Sequence, residues 1–318
     1  MIAVRRILCP VDFSDFSRRA LRHAATLARW YGAEVHALHV VAGLPTIWTV
    51  APTLGPHSPE PVVDRTRRQL ELLVRAIVTN GVPATTHLRE GDVTREILDY
   101  ARRSEIDLIV LGTHGRGGFE RVVLGSVAEK VLRKSTCPVM TVCHTDEPLQ
   151  VQRPPFKRIL CPVDFAPASQ RAASYALSLA READAELTLL HVVEPVEHQW
   201  LNEHAPTSPE AYCRFVESQM KARLSTVVPA DAPEWCRPRE IVAWGKPWEQ
   251  ILSVAADVQA ELVVMGLHSR GALDLMLFGS TTQQVVRYVG CPVLTIGSRP
   301  TGATPRETAA VDETMVAR

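Results

Sequence analysis

The sequence predicts an α/β protein of two tandem, doubly wound domains, each with a parallel five-stranded sheet of the Rossmann-like or flavodoxin-like kind. Three observations carry this. The run Arg-Ile-Leu-Cys-Pro-Val-Asp-Phe occupies residues 6–13 and recurs unchanged at 158–165. Later landmarks return in the same order: His39-Val40-Val41 and His191-Val192-Val193, Gly91 and Gly245, Gly112 and Gly266, Gly125-Ser126 and Gly279-Ser280, Cys137-Pro138-Val139 and Cys291-Pro292-Val293. The offset drifts only from 152 to 154, so the repeated unit is a whole domain and not a short solenoid repeat. Within each copy, short β-branched runs alternate with helical patterns, as a parallel sheet with crossover helices requires.

Taken in order, Ile7–Val11, Val35–Val41, Leu108–Leu111 and Val139–Val142 read as strands bounded by turn residues, the first and last apolar enough for burial on both faces. Ala20, Leu21, Ala24, Leu27 and Ala28 form one helical stripe, with Arg18, Arg19, Arg22 and Arg29 turned to solvent. Further helices are predicted over 61–80, which Gly81 stops, over 93–104, and from Ser126 to Lys134. The Pro-rich stretch 42–61 and its counterpart 194–209 are too long for tight turns, and two readings stay open for them: folding over a site, or partial mobility. The expected domains are 1–146 and 156–298, joined by a linker over 145–156 and followed by a disordered tail over 299–318.

At 318 residues the chain can bury two ordinary cores. Lys plus Arg and Asp plus Glu number 35 each, so no basic field points to nucleic acid or an anionic membrane as partner. No apolar run reaches the length of a membrane span, and Pro10 and Asp12 cut the first one. The cysteines number seven, an odd count, and four of them (Cys9, Cys137, Cys161 and Cys291) sit in apolar runs, which reads as reduced, buried thiols in a cytosolic protein. Neither their spacing nor His198 and His204 forms a metal signature, and no metal is assigned.

In a doubly wound sheet, ligands bind outside the carboxyl ends of the strands, where the strand order reverses. That directs attention to the turns after Val11, Val41 and Leu111. After the strand ending at Leu111 comes Gly112-Thr113-His114-Gly115-Arg116, and then Gly125-Ser126 opening a helix. Glycines there let backbone N–H groups close on a ligand, and a helix start with Ser126 as its N-cap would make an anion site suited to phosphate. The loop lacks Gly-Lys-Ser/Thr, and no Gly-x-Gly-x-x-Gly follows the first strand, so neither a Walker A loop nor the usual dinucleotide fingerprint is present.

The spacing Gly-x2-Gly-x9-Gly-Ser, with Pro10-Val11-Asp12-Phe13-Ser14 at the first strand and His39-Val40 ending the second, resembles the universal stress protein family over residues 4–143 and 156–297. The resemblance implies an ATP site in which Asp12, flanked by Pro10 and Val11, meets the adenosine and Val40 lies at the adenine pocket. Gly112, Gly115, Gly125 and Ser126 would surround ribose and phosphates, with the backbone of Leu111 and Val127 nearby. His114 and Arg116 stand beside this cradle, and Mg2+ can accompany the nucleotide. A second site would use Asp164, Val192, Gly266, Arg270, Gly279 and Ser280, but Ser269 replaces the loop glycine there and its Cβ works against phosphate. Asp12 as a mere helix cap stays open as an alternative.

The implied function is nucleotide-dependent sensing or signalling in a cytoplasmic stress response. No catalytic residue is assigned, because no base or metal ligand for the γ-phosphate stands out. A slow ATPase, a phosphotransfer protein and a nucleotide-free scaffold are the competing expectations. The two copies are expected to pair through the strands Val139–Val142 and Val293–Ile296 as a built-in pseudo-dimer. Protein partners and further pairing of chains are left open.

Overall fold

The structure is a computed structural model that describes residues 4–42, 62–79, 81–113, 124–143, 155–194, 208–229, 238–267 and 279–297. The first half runs β1 (Arg6–Pro10), α1 (Asp15–Tyr31), β2 (Glu34–Val41), α2 (Val62–Ile77), β3 (Ala84–Glu90), α3 (Val93–Arg103), β4 (Leu108–Gly112), α4 (Ser126–Lys134) and β5 (Val139–Val142). The second half repeats it: β6 (Arg158–Pro162), α5 (Pro167–Ala183), β7 (Glu186–Val193), α6 (Pro209–Ser225), β8 (Arg239–Trp244), α7 (Pro247–Asp257), β9 (Leu262–Gly266), α8 (Ser280–Tyr288) and β10 (Val293–Ile296). The expected linker and tail fall mostly or wholly outside the described residues.

All ten strands form one sheet in the order β3-β2-β1-β4-β5-β10-β9-β6-β7-β8. Within each half neighbouring strands are parallel, and the first half reads 3-2-1-4-5, which is the Rossmann order and not the flavodoxin one. The switch point therefore lies between β1 and β4, and between β6 and β9 in the second half.

The halves join where β5 meets β10 antiparallel, with Thr141 opposite Val293, Met140 opposite Leu294 and Val139 opposite Thr295. The expected pseudo-dimer seam is thus present, and it is reciprocal. Thr141 Oγ1 donates to Val293 O at 3.3 Å, and its counterpart Thr295 Oγ1 donates to Val139 O at 3.0 Å. A buried hydroxyl so placed satisfies itself and leaves the strand face apolar. On one side of the sheet the helices also meet across the halves, where Tyr31 of α1 hydrogen-bonds Glu182 of α5.

Among the described residues two hydrophobic cores are found, and they divide by sheet face instead of by repeat. One joins Ile7, Cys9 and Val11 to α1 and α2 and to their counterparts α5 and Leu224 of α6. The other joins Leu8 to α3, α4, α7 and α8. This follows from strand alternation: successive residues of β1 point to opposite faces, and both faces are covered by helices. The seam lets each core run through both halves without a break.

Local signals set the helix ends. Ser14 caps α1 by accepting from Ser17 N, and Gly32, at φ 65°, ends it with its N–H on Ala28 O. Burial pushes the Cys9, Cys137 and Cys161 thiols up, Cys137 to about 11, so they are inert core groups. Among the described residues no helix is long and apolar enough to cross a membrane.

Candidate functional site

The turn that leaves β1 is held from several sides. Val11 N donates to Leu38 O at 2.8 Å, and the Nδ1–H of His39 donates to Val11 O at 2.6 Å. Phe13 takes a left-handed backbone, φ 66°, and its ring sits 4.7 Å from the His39 ring. An aromatic residue in that region costs on the order of 1 kcal/mol, so the surrounding contacts must impose it. The second half imposes it again: Phe165 has φ 63°, lies 4.6 Å from the His191 ring, and His191 donates to Val163 O at 2.7 Å. There the Arg223 guanidinium of α6 also covers the Phe165 ring, 4.1 Å from its centroid.

Asp12, half-buried at the end of this turn, uses Oδ1 to accept from Ser14 N at 3.0 Å and from Ser14 Oγ at 2.5 Å. Its own N–H donates to Ser17 Oγ at 3.3 Å. The helix cap is therefore Ser14, and Asp12 holds the cap instead of being one. Its negative charge adds to burial in raising the Cys9 thiol.

On the neighbouring strand, Gly112 closes β4, but the need for glycine differs from the sequence expectation. A Cβ here would lie 2.8 Å from Phe16 Cβ and 2.9 Å from the Phe16 carbonyl carbon, so the first turn of α1 fills that space. Gly266 is tighter still, at 2.5 Å from the Ala168 carbonyl carbon. These glycines admit a helix, and their backbone φ is not left-handed.

Beyond Gly112, the buried Thr113 ties three elements together. Its N–H donates to Val142 O at 3.1 Å, and its carbonyl accepts from Gly125 N at 2.8 Å. The start of α4 is thereby fixed to the ends of β4 and β5. A second correction concerns the cap of α4. Gly125 is the N-cap and Ser126 the first helical residue, with no side-chain hydrogen bond to the cap. The helix dipole and the first-turn N–H groups are thus presented without a competing side-chain oxygen, which suits an anion better than a serine cap would. Gly279 and Ser280 repeat this at α8.

Among the other predicted residues, Pro10 is half-buried and Val11 and Leu111 are buried, while Val40 and Val127 pack on the same core, as does Val192. Asp164 is exposed and accepts from Ala166 N at 3.0 Å. His114, Gly115, Arg116, His268, Ser269 and Arg270 lie outside the described residues, as do 43–61 and 195–207 of the long loops. The serine pair Ser14 and Ser17 and the left-handed Phe13 were not anticipated. The Asp-x-Ser spacing was visible, but a phenylalanine gives no sign of positive φ.

The profile of the universal stress protein family matches residues 3–142 and again 155–297. A universal stress protein of Mycolicibacterium smegmatis is 27% identical over 304 residues, covering 92% of this chain and 97% of its own length. The universal stress protein YxiE of Bacillus subtilis is 35% identical over 146 residues, 43% of this chain and 97% of its own. A crystal structure of a universal stress protein from Archaeoglobus fulgidus superposes with a TM-score of 0.59 at 23% identity, over 92% of this chain and 96% of that one, which speaks to the fold. Two family matches on two halves that share turns, seam and strand order have one explanation: the chain belongs to the universal stress protein family and carries two of its domains in tandem.

Proposed function

We propose that the first half binds ATP at the switch point between β1 and β4, and that the chain acts as a nucleotide-dependent sensor or signalling module of a cytosolic stress response. The observation that carries this reading is the α4 N-terminus. Its cap is glycine, it makes no side-chain cap, and Thr113 holds it to the strand ends beside the Asp12 turn. That is a phosphate-suited group of donors next to an acceptor-only carboxylate suited to adenosine hydroxyl or amino donors. Mg2+ would enter with the phosphates. The second half keeps the glycine cap and the locked turn, and Ser269 makes it the weaker site.

Binding without demanding chemistry is part of the proposal. Protein purified natively should carry adenine nucleotide, released on denaturation and identified by chromatography. Calorimetry on Asp12→Ala and Gly115→Val should show weaker ATP binding, with both variants folded. Unchanged affinity in both retires the assignment. Turnover within the ordinary enzyme range of about 1 to 1,000 per second would favour the ATPase reading, and a chain with neither bound nor bindable nucleotide would be a scaffold.

A further inference from the structure

The geometry points to Ser14 as the positioning residue for the Asp12 carboxylate, and to Ala166 in its place as a cause of unequal nucleotide binding between the halves. This rests on the nucleotide reading above and names what sets its selectivity. A serine hydroxyl has one proton to give. Here it goes to Asp12 Oδ1 at 2.5 Å, while the same oxygen accepts from Ser17 N at 3.2 Å. Together with Ser14 N, two donors converge on one carboxylate oxygen, so the turn and not solvent sets the carboxylate plane. A hydroxyl donating to a carboxylate is among the stronger hydrogen bonds.

The second half supplies a natural deletion of this hydroxyl. Asp164 N donates to Ser169 Oγ at 3.3 Å, as Asp12 N does to Ser17 Oγ at 3.3 Å. Ser169 Oγ donates to Ala166 O at 3.0 Å, as Ser17 Oγ does to Ser14 O at 3.0 Å. Ala166 N donates to Asp164 Oδ1 at 3.0 Å, as Ser14 N does to Asp12 Oδ1 at 3.0 Å. Of this ring, what is missing is the hydroxyl, with its bond to the carboxylate and the bond it accepts from Ser17 N. Its capping duty is replaced, because Pro167 opens α5 with a pre-set helical φ. Pro167 has no proton to give a carboxylate, and Asp164 is exposed where Asp12 is half-buried. What the alanine removes is therefore the hydroxyl's bond to the carboxylate more than the start of the helix.

The test uses the full chain and three nucleotides: ATP, ITP, which lacks the 6-amino donor, and 2′-deoxyATP, which lacks a ribose donor. Ser14→Ala should weaken ATP binding at the first site by about tenfold, the order expected for a lost hydrogen bond to a charged group. It should also narrow the preference for ATP over at least one of the two analogues. Ser14→Thr, which keeps the hydroxyl, should retain both affinity and preference. In an Asp12→Ala background that silences the first site, Ala166→Ser should strengthen ATP binding at the second. A Ser14→Ala chain that melts earlier but keeps wild-type affinity and preference shows a cap and nothing more, and overturns the proposal. So does Ala166→Ser without any gain, for the second half. Loss of ATP binding in Asp12→Ala but not in Ser14→Ala refutes this inference alone, whereas wild-type protein that binds no ATP refutes the nucleotide reading and this inference together.

Discussion

His23 lies on α1 with 2% of its surface exposed, and its Nδ1 has no hydrogen-bond partner among the described residues. Burial, aided by the positive charge of Arg19, lowers its pKa from 6.5 to about 4. A folded pKa below the unfolded one means that the fold favours the neutral ring. The stability that depends on this is complete above pH 6.5 and is lost as pH falls from 6.5 towards 4. With those two values, linkage gives a loss of about 1.2 kcal/mol at about pH 5.5 and about 2.4 kcal/mol at about pH 4.5, relative to neutral pH.

The perturbation is His23→Phe, which keeps a ring and removes the ionisation. The second half already carries an aromatic ring at the equivalent position, Tyr175. Near neutral pH the variant should lie within about 1.5 kcal/mol of wild type, as a similar-volume exchange in a core does. Urea unfolding followed by circular dichroism, run on both chains from neutral to about pH 4.5, yields the difference as a function of pH. His36 and His87 are also lowered, chiefly by burial, but both chains contain them and their effect cancels. On acidification the His23→Phe chain should therefore gain on wild type by the amounts above. Parallel profiles for the two chains would refute the reasoning.

Three other outcomes are expected. Gly266→Ala should destabilise by about 1 to 3 kcal/mol and more than Gly112→Ala, because its Cβ would fall 2.5 Å from backbone of Ala168 against 2.8 Å from Phe16 Cβ; equal melting temperatures would contradict this. Asp184 ends α5 at φ 48°, where Gly32 ends α1, so Asp184→Gly should stabilise by about 0.5 to 1 kcal/mol in chemical denaturation. Residues 1–150 expressed alone should self-associate through β5, whose Val139, Met140 and Val142 are at most 2% exposed in the full chain; a folded monomer in sedimentation would count against the seam as the stabilising edge.

The duplicated sequence made the fold class readable because the strongest signals, continuous apolar strands, belong to the central strands that two helix layers cover. The strands predicted at Ile7, Val35, Leu108 and Val139 all form. The third, β3, has the polar run Ala-Thr-Thr-His-Leu-Arg-Glu and could not be placed in advance; it lies at the sheet's end and is half-exposed along its length. Edge strands need not be apolar, so periodicity fails there. At the candidate site the motif singles out Asp12, Gly112 and Gly125, but not their local duties. Gly112 answers to Phe16, a contact set by how α1 crosses β4, and no local pattern encodes a crossing. Ser126 looked like a cap because serine usually is one, while the neighbouring glycine takes the extended cap conformation and leaves the serine inside the helix.

Fusion of the two copies explains where they agree and where they part. In a dimer of identical chains a contact across the axis occurs twice, so any substitution strikes both sites at once. In this chain the seam retains that reciprocity, with Thr141 and Thr295 exchanging the same hydrogen bond in both directions. Away from the seam the halves are released from it. Ser14 has Ala166 as its counterpart, His23 has Tyr175, Gly32 has Asp184, and Gly115 has Ser269. Two of these four pairs lie in the candidate site's turn and loop, and under the proposed function both favour the first half as the binder. A continuous sheet whose cores run through both halves can carry the weaker site proposed for the second half without losing stability, since the packing that holds that half does not depend on what its loops bind.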